Sequence, residues 1–314
     1  MPFWSKKKKP KKKGPSTPKP KPQTALAPVR PLPRFEQRPF TPPEMPRPYI
    51  PPVMQQPKQA TPKLRHDAEK EFLKVFKELT YRHRGWDVWN DFIVTAACAL
   101  SNPVDKAHYE KREARYLRII NGYSKDEQQK FTTLFAQTVM ALELNPEQDF
   151  LGRLYTRLGL QDDGRKQHFT PYNVCVLMAE ITMTDVVKQV RENGYITLDD
   201  PCCGAGATLI AGVNCAKKNL EKACLNFQNH ILVTAQDIDE TVALMCYIQL
   251  SLLGVAAYIK IGNSLTNPMT SGDPLENYWF TPMYFSDVWA MRRAVHAMDA
   301  LMRKGENDER PSEM

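Results

Sequence analysis

The segment YITLDDPCCGAGATLIAG, residues 195–212, has the residue types and spacing in this chain that are best suited to hold a ligand. Gly204 and Gly206 stand two positions apart, and glycine lets a backbone turn tightly and approach a bound molecule closely. Asp200 precedes the glycines and a helical pattern follows them, so the first amides of that helix point into the space above the preceding strand. This order of residues predicts a loop that binds a nucleotide-like ligand.

A second carboxylate narrows the choice of ligand. Asp237 stands 31 positions after Gly206, at the end of the next predicted strand, where a carboxylate can accept hydrogen bonds from both hydroxyls of a ribose. The loop lacks the third glycine of a dinucleotide-binding fingerprint, and an acidic residue ahead of it suits an ammonium group better than a pyrophosphate. S-adenosylmethionine carries both an ammonium group and a ribose, so it is the predicted cofactor.

Simpler interpretations stay open for several of these residues. The two glycines also fit an ordinary turn into a helix, and Asp239 fits the cap of the next helix better than a ligand contact. Cys202 and Cys203 fit small packing residues beside the loop better than a redox pair. Thr170 and Pro171 also fit a helix cap followed by proline at the first helical position.

Alternating strand and helix patterns after residue 162 must position these residues. Strand patterns at YITLD, HILVTAQDID and AAYIKIGN are separated by helical ones, and such repeats predict an α/β fold with a doubly wound, mostly parallel, Rossmann-like sheet. Ligands of such sheets bind beyond the carboxyl ends of the strands. The glycine loop, QDID and GNSL all follow strand ends, so the sequence predicts one site on one rim.

Residues 66–162 have helical periodicity throughout and predict an all-α domain ahead of the sheet. Apolar residues recur at three- and four-residue spacing in DAEKEFLKVFKELTYR, and Ser124 and Glu127 have capping-box spacing. The aromatic residues of this region, Trp86 and Trp89 included, are predicted to lie in its core.

The first 65 residues have a different composition. They hold 18 of the 26 prolines, and 16 Lys and Arg against two acidic residues, or about +14 of a total net charge of +8. Such a segment buries too little apolar surface to fold, so residues 1–65 are predicted to be a disordered basic tail. A solubilising tail, a nonspecific hook for phosphates, a partner-docking segment and a nuclear signal are its candidate roles.

The cysteine pattern and the hydropathy of the chain indicate the cellular compartment. None of the seven cysteines belongs to a CxxC pair or a zinc-ligand pattern, and no apolar run reaches the roughly 20 residues that span a bilayer. We therefore expect a soluble, cytoplasmic protein with reduced thiols, no metal and no membrane segment.

The segments DPCCGAGATL, QHFTP, QDID and GNSL resemble, in type and order, the adenine-N6 DNA methyltransferases, particularly the modification subunits of type I restriction systems. The resemblance covers roughly residues 66–285. It implies that QHFTP seats the methionine end of S-adenosylmethionine, that Asp237 grips the ribose, and that Asn263, where the family has Asp, faces the adenine. The implied cofactor-binding residues are Gln167, Phe169, Thr170, Pro171, Asp200, Pro201, Gly204, Gly206, Asp237 and Asn263.

The family's catalytic motif is degenerate in this chain. In the family, an Asp or Asn side chain and the next proline carbonyl accept hydrogen bonds from the target amine, and an aromatic ring stacks on the flipped base. The nearest match to Asn-Pro-Pro-Tyr here is in FTPMYF, which makes Thr281, Pro282 and Tyr284 the implied catalytic residues. TNPM, residues 266–269, is a rival that follows the third strand too closely.

These observations predict four regions: the tail 1–65, the helical domain 66–162, an S-adenosylmethionine-binding domain 163–290, and a C-terminal helix with a polar end 291–314. A complete sheet of the family would need about three further strands. The leading hypothesis is a DNA adenine-N6 methyltransferase of modification-subunit type, with DNA and a specificity or other subunit as partners. A catalytically silent, cofactor- and DNA-binding accessory protein and a protein-amide methyltransferase are the alternatives.

Overall fold

A computed structural model of the protein describes residues 62–161 and 169–308, with side chains described for residues 68–161 and 169–298. The basic tail up to residue 61 and the candidate residue Gln167 lie outside the described residues. Within them, no helix is both long and apolar enough to cross a lipid bilayer.

Seven helices precede the sheet in the described residues, and the first five of them lie ahead of residue 162. Aromatic side chains fill the space between them, because the ring of Phe72 meets those of Trp89, Phe92 and Phe150 edge-on at centroid distances of 5.5–6.1 Å. The predicted capping box is confirmed, with the Ser124 amide 2.9 Å from a Glu127 carboxylate oxygen. These five helices are α1 (Pro62–Leu79), α2 (Gly85–Ser101), α3 (Tyr109–Ile120), α4 (Lys125–Leu144) and α5 (Phe150–Arg157).

The two tryptophans that the sequence assigned to the core differ. Trp89 is fully buried, as predicted, but the prediction for Trp86 is wrong because 49% of this residue is exposed. Trp86 is the second residue of α2, so it lies at the free end of the helix, beyond the side chains that pack on the following turns.

The sheet is mostly parallel, as predicted, with strand order β1-β2-β3-β4. β1 pairs with β2 and β2 with β3 in parallel, whereas β4 pairs with β3 antiparallel. The strands are β1 (Ile196–Asp200), β2 (Ile231–Asp237), β3 (Ala256–Ile261) and β4 (Tyr278–Phe280). The remaining helices are α6 (Tyr172–Thr182), α7 (Val186–Asn193), α8 (Ala207–Lys222), α9 (Glu240–Leu252) and α10 (Asp287–Asp308).

The described part of the sheet is not doubly wound, which corrects that prediction. Leu198 of β1 faces α8, where its side chain lies 3.5 Å from the position a Cβ would take on Gly212. Trp279 of β4 lies on the same face, by strand register, and its ring meets that of Tyr247 in α9. The strand order runs in one direction from β1 to β3, so right-handed crossovers place both helices on one face.

One hydrophobic core extends from α1 through the sheet. Buried polar contacts reinforce this continuity, since the Gln249 amide in α9 donates to both the Asp149 carboxylate at 2.8 Å and the Ala205 carbonyl at 2.9 Å. The Arg112 guanidinium of α3 donates to the Tyr278 carbonyl at 2.7 Å and lies 3.9 Å from the ring centroid of Trp279. The helices that precede the sheet therefore brace the strands and loops that carry the candidate site.

Candidate cofactor site

A cavity of about 560 Å³ lies at the carboxyl ends of the parallel strands. Four segments wall it: the loop after β1, the end of β2, the loop after β3, and the residues just before α6. The sequence predicted that three of these segments, the glycine loop, QDID and GNSL, lie on one rim, and the structure brings them together. The lining residues are Phe169, Thr170, Pro201, Cys202, Cys203, Gly204, Ala205, Ala207, Thr208, Asp237, Ile238, Asp239, Val242, Asn263, Ser264 and Leu265.

The two glycines of the first loop serve different ends. Both have left-handed backbone, with φ of +52° at Gly204 and +93° at Gly206, a region that favours glycine. A Cβ on Gly204 would meet the ring of Phe169 at 3.0 Å, and one on Gly206 would lie 2.7 Å from the Cys246 Sγ. Gly204 therefore lines the cavity, whereas Gly206 lies outside the lining and lets the loop pack on α9.

Asp237 fastens the first loop to the second strand. Its Oδ2 accepts a hydrogen bond from the Gly204 amide at 2.8 Å, and its Oδ1 accepts one from the Asp239 amide at 2.9 Å. Burial raises the pKa of the Asp237 carboxyl, against these two amides and that of Ile238, which lower it. A carboxylate has about four acceptor positions, so Asp237 keeps capacity for a ligand hydroxyl.

Asp200 does not line the cavity. Its Oδ1 accepts a hydrogen bond from the Cys202 amide at 3.0 Å, which shapes the start of the loop. Burial raises the pKa of Asp200, and the negative charges of Asp199 and Asp237 raise it further. The two predicted acids therefore lie close enough to interact, but only Asp237 borders the space where a ligand would bind.

The residues before α6 divide between two neighbouring cavities. Phe169 and Thr170 line the cavity described above and also a second one of about 610 Å³, whereas Pro171 lines only the second. Helix α6 begins at Tyr172 with Pro171 as its cap residue and without a side-chain cap. The alternative in which Thr170 caps this helix is therefore wrong by one position.

Asn263 lines the cavity in the loop after β3. Its Oδ1 accepts hydrogen bonds from the amides of Leu265 at 2.9 Å and Thr266 at 3.2 Å, which closes a tight turn. The side-chain NH₂ group is then the part of Asn263 that is suited to donate to a ligand.

The structure also settles the simpler interpretations of three neighbours. Asp239 caps α9, since its Oδ1 accepts a hydrogen bond from the Thr241 amide at 2.8 Å. Cys203 is buried, as predicted for a packing residue, but Cys202 is exposed, with its Sγ 3.7 Å from the Ser264 hydroxyl.

Sequence reasoning missed two exposed aliphatic residues of the cavity wall. Ile238 is 67% exposed and Leu265 is 91% exposed, and both line the cavity. Exposed aliphatic side chains beside the cavity offer flat apolar contact to a ring such as a purine. A usable signal was present for Ile238, because an isoleucine between Asp237 and Asp239, just past a strand end, has no core position to occupy.

The implied catalytic residues lie at the opposite edge of the sheet, which contradicts their predicted role. Because β4 runs antiparallel to β3, Thr281 returns to the first residues of β3. Its buried hydroxyl donates to the Val255 carbonyl at 2.7 Å and accepts from the Ala257 amide at 2.8 Å. Pro282 and Tyr284 follow in the adjoining turn, where the Arg293 guanidinium lies 4.1 Å from the Tyr284 ring centroid.

The rival acceptor segment at residues 266–269 is already engaged. The buried Lys260 ammonium donates to the Asn267 Oδ1 at 3.0 Å and to the Pro268 carbonyl at 2.9 Å. The same ammonium pairs with the Asp273 carboxylate at 2.5 Å and lowers its pKa. This arrangement fastens the loop after β3 to the sheet and leaves Asn267 and Pro268 committed to Lys260.

No group of three or more His, Cys, Asp or Glu within residues 62–161 and 169–308 is arranged to hold a metal ion. Searches of curated proteins and of solved structures found no match to this chain. A family model described as N-6 DNA methylase matches residues 147–308, about half of the chain, which includes the sheet and every wall of the cavity. The chain therefore belongs to the N-6 DNA methylase family.

Proposed function

We propose that the cavity binds S-adenosylmethionine and that the protein takes part in methylating the N6 amine of adenine in DNA, as a subunit of modification type. The observation that carries this proposal is the meeting of the glycine loop, Asp237 and Asn263 around one cavity in an N-6 DNA methylase chain. A specificity or other partner subunit and a cytoplasmic location complete the proposal.

The chemistry of the cavity wall fits this cofactor. A carboxylate at the end of the second strand suits ribose hydroxyls, and the Asn263 amide can donate to a ring nitrogen of adenine. Ile238 and Leu265 supply exposed apolar contact for the faces of the purine ring. The volume, about 560 Å³, lies within the range of about 300–1,000 Å³ for small-molecule sites.

When bound, S-adenosylmethionine supplies a methyl group on a sulfonium, ready for direct transfer to a nitrogen lone pair. The residues of this chain bind and orient that cofactor. Asp237 would hold the ribose and Asn263 the adenine. Phe169 and Thr170 would form the wall of the site that the residues before α6 supply. Asp200 acts through the loop, because its carboxylate holds the Cys202 amide.

A second candidate function is a cofactor- and DNA-binding accessory protein without catalytic activity. The position of Thr281 and Tyr284 at the far edge of the sheet favours this candidate, because neither residue borders the cavity in the described residues. In the methyltransferase proposal, the acceptor for the target amine is therefore a group other than Thr281 and Tyr284.

Titration calorimetry with S-adenosylmethionine tests the cofactor. We expect the wild-type protein to bind, and Asp237→Ala to lose at least about tenfold in affinity because it removes a charged acceptor of hydrogen bonds. Asp126→Ala is the matched control, since this exposed carboxylate lies in the first turn of α4. Equal affinity of the wild-type and Asp237→Ala proteins would remove the basis of the proposed site.

A transfer assay separates the two candidate functions. The full chain is incubated with labelled S-adenosylmethionine and mixed-sequence DNA, which is then digested and analysed for N6-methyladenine. Labelled N6-methyladenine supports the methyltransferase. Cofactor binding without this product favours the accessory protein.

A further inference from the structure

The turn between α1 and α2 presents arginine and aromatic side chains to solvent. Tyr81 is 90% exposed and Trp86 is 49% exposed, and the exposed Arg82 and Arg84 stand between them in the chain. Arg118, which is also exposed, lies in the last turn of α3 and lines the same groove as Arg82 and Arg84. We call these five residues the α1–α2 patch.

The three arginines surround a groove of about 560 Å³ that is separate from the cofactor cavity. Two carboxylates, Asp87 and Asp91, line the same groove. Asp91 is half-buried, accepts a hydrogen bond from the Tyr123 hydroxyl at 2.8 Å, and has a pKa raised chiefly by burial.

The three arginines of the patch are available to bind an external anion. Among the residues that the structure describes, Arg82, Arg84 and Arg118 have no ion-pair partner within 4.0 Å. Arginine heads that are not neutralised by a neighbour are suited to bind an external anion, and guanidinium groups match phosphate oxygens in geometry.

The patch lies near the carboxyl ends of the parallel strands, the end of the sheet that also carries the cofactor cavity. Helix α2 is tied to the start of α9, where the Thr241 hydroxyl donates to the Asn90 Oδ1 at 3.0 Å. Thr241 follows Asp239, a residue of the cavity wall, by two positions. Trp86 precedes Asn90 by four residues, about 6 Å along a helix, so the first turn of α2 lies about one helical turn from the contact with the start of α9.

Helix α3 brings the third arginine to this place. Arg115 makes a two-pronged ion pair with Glu240, the first residue of α9, at 2.6 and 2.8 Å. Arg118 lies three residues further along α3, on the same helical face as Arg115 and about one turn away. Two separate contacts with the start of α9 therefore fix the patch beside the rim.

We propose that the α1–α2 patch is a DNA-binding surface that holds the substrate beside the cofactor cavity. Arg82, Arg84 and Arg118 contact backbone phosphates, and Tyr81 and Trp86 stack on bases that are unpaired next to the reaction site. Aromatic rings stack on any base and arginines contact any phosphate, so the surface binds DNA without reading sequence. This inference rests on the proposed function in taking DNA as the substrate.

Fluorescence anisotropy with labelled mixed-sequence DNA tests the arginines, using the full chain and a series of KCl concentrations. The triple variant Arg82→Ala/Arg84→Ala/Arg118→Ala is expected to bind at least about tenfold more weakly at low salt. Each lost phosphate contact also flattens the plot of log K against log salt by about 0.9, so the slope should change by about 2–3.

A control variant removes the same charge elsewhere. Lys188→Ala/Arg191→Ala/Lys222→Ala deletes three exposed positive charges on α7 and α8, two helices whose carboxyl ends lead into the opposite edge of the sheet. We expect this control to stay within about twofold of the wild-type affinity, with an unchanged salt slope. An equal loss in both triple variants would reduce the effect to net charge and overturn the proposal.

Single-stranded oligonucleotides test the aromatic residues. Trp86→Ala is expected to weaken single-strand binding about fivefold or more, whereas Trp86→Phe keeps an aromatic face and retains most of the affinity. Asp87→Asn removes a negative charge from the groove and is expected to raise affinity. Unchanged single-strand binding by Trp86→Ala and Tyr81→Ala would refute base stacking.

The outcome can be separated from that of the cofactor proposal. The arginine variant should bind S-adenosylmethionine like the wild-type protein in calorimetry, because none of the three arginines lines the cofactor cavity. Circular dichroism checks that each variant is folded, and Arg84→Ala and Arg118→Ala are measured singly if the triple variant is not. Wild-type affinity and salt slope in the arginine variants, or no DNA binding by the wild-type chain, would overturn the proposal.

Discussion

Replacement of Gly206 by alanine places a methyl group where the structure has no room for one. The φ of +93° lies in the left-handed region, which costs a residue with a Cβ about 1–2 kcal/mol. The new Cβ would also lie 2.7 Å from the Cys246 Sγ and 3.4 Å from the Cys246 Cα. Cys246 is fully buried, so relieving this overlap should cost a further 1–3 kcal/mol or so.

We therefore expect Gly206→Ala to lower the free energy of unfolding by about 2–5 kcal/mol. Gly159 supplies the matched control, because its φ is +63° and, apart from its chain neighbours, no atom of the described residues lies within 4 Å of the position of its Cβ. Gly159→Ala should therefore show only the backbone cost, about 1–2 kcal/mol. Both substitutions restrict the unfolded chain alike, so the difference between them isolates the contact with Cys246.

Urea unfolding, monitored by circular dichroism, measures these differences in the free energy of unfolding. The double variant Gly206→Ala/Cys246→Ala removes the sulfur that the new methyl group meets, so a double-mutant cycle should give a favourable coupling energy of about 1–3 kcal/mol. If Gly206→Ala and Gly159→Ala are equally destabilising and the cycle shows no coupling, the reasoning that Gly206 is required for close packing on α9 is refuted.

Three further predictions concern titration and buried hydrogen bonds. Burial raises the pKa of Asp237 above 3.8, so affinity for S-adenosylmethionine, measured by calorimetry, should fall as the pH decreases through that raised pKa, and Asp237→Asn should abolish this dependence. Hydrogen bonds from the Ser124 amide and hydroxyl lower the pKa of Glu127 to about 2. The Glu127 carboxylate therefore stabilises the fold above pH 4.5, and this stabilisation is lost as the pH falls towards 2. Glu127→Gln should flatten that part of the stability profile, and Ser124→Ala should lower the free energy of unfolding in urea by about 1 kcal/mol. Thr281→Val leaves the buried Ala257 amide without its acceptor and should lower the free energy of unfolding by about 1–3 kcal/mol in the same assay. Calorimetry should give an unchanged cofactor affinity. A loss of cofactor binding would contradict the position of Thr281 at the far edge.

Much of the candidate site, and several helix ends, could be predicted because their signals are local. Asp239 caps α9 and Ser124 begins α4 with a capping box, and each device spans only three or four residues. Asp237 ends a buried strand, and the carboxyl ends of parallel strands meet at one edge of a sheet, so its place on the rim followed from strand order alone. Which neighbours then use its oxygens, the Gly204 amide among them, depends on how two loops meet.

The sequence by itself determined the alternation of strands and helices, the turn at Gly204 and the place of Asp237, because backbone conformation and apolar periodicity are set within a few residues. Only the tertiary structure decided the direction of β4, which has three residues and no local preference for either orientation. That direction placed Thr281 at the opposite edge from the cavity. Tertiary structure likewise decided that Trp86 is exposed while Trp89, three residues later, is buried, since burial depends on which helix lies across each turn.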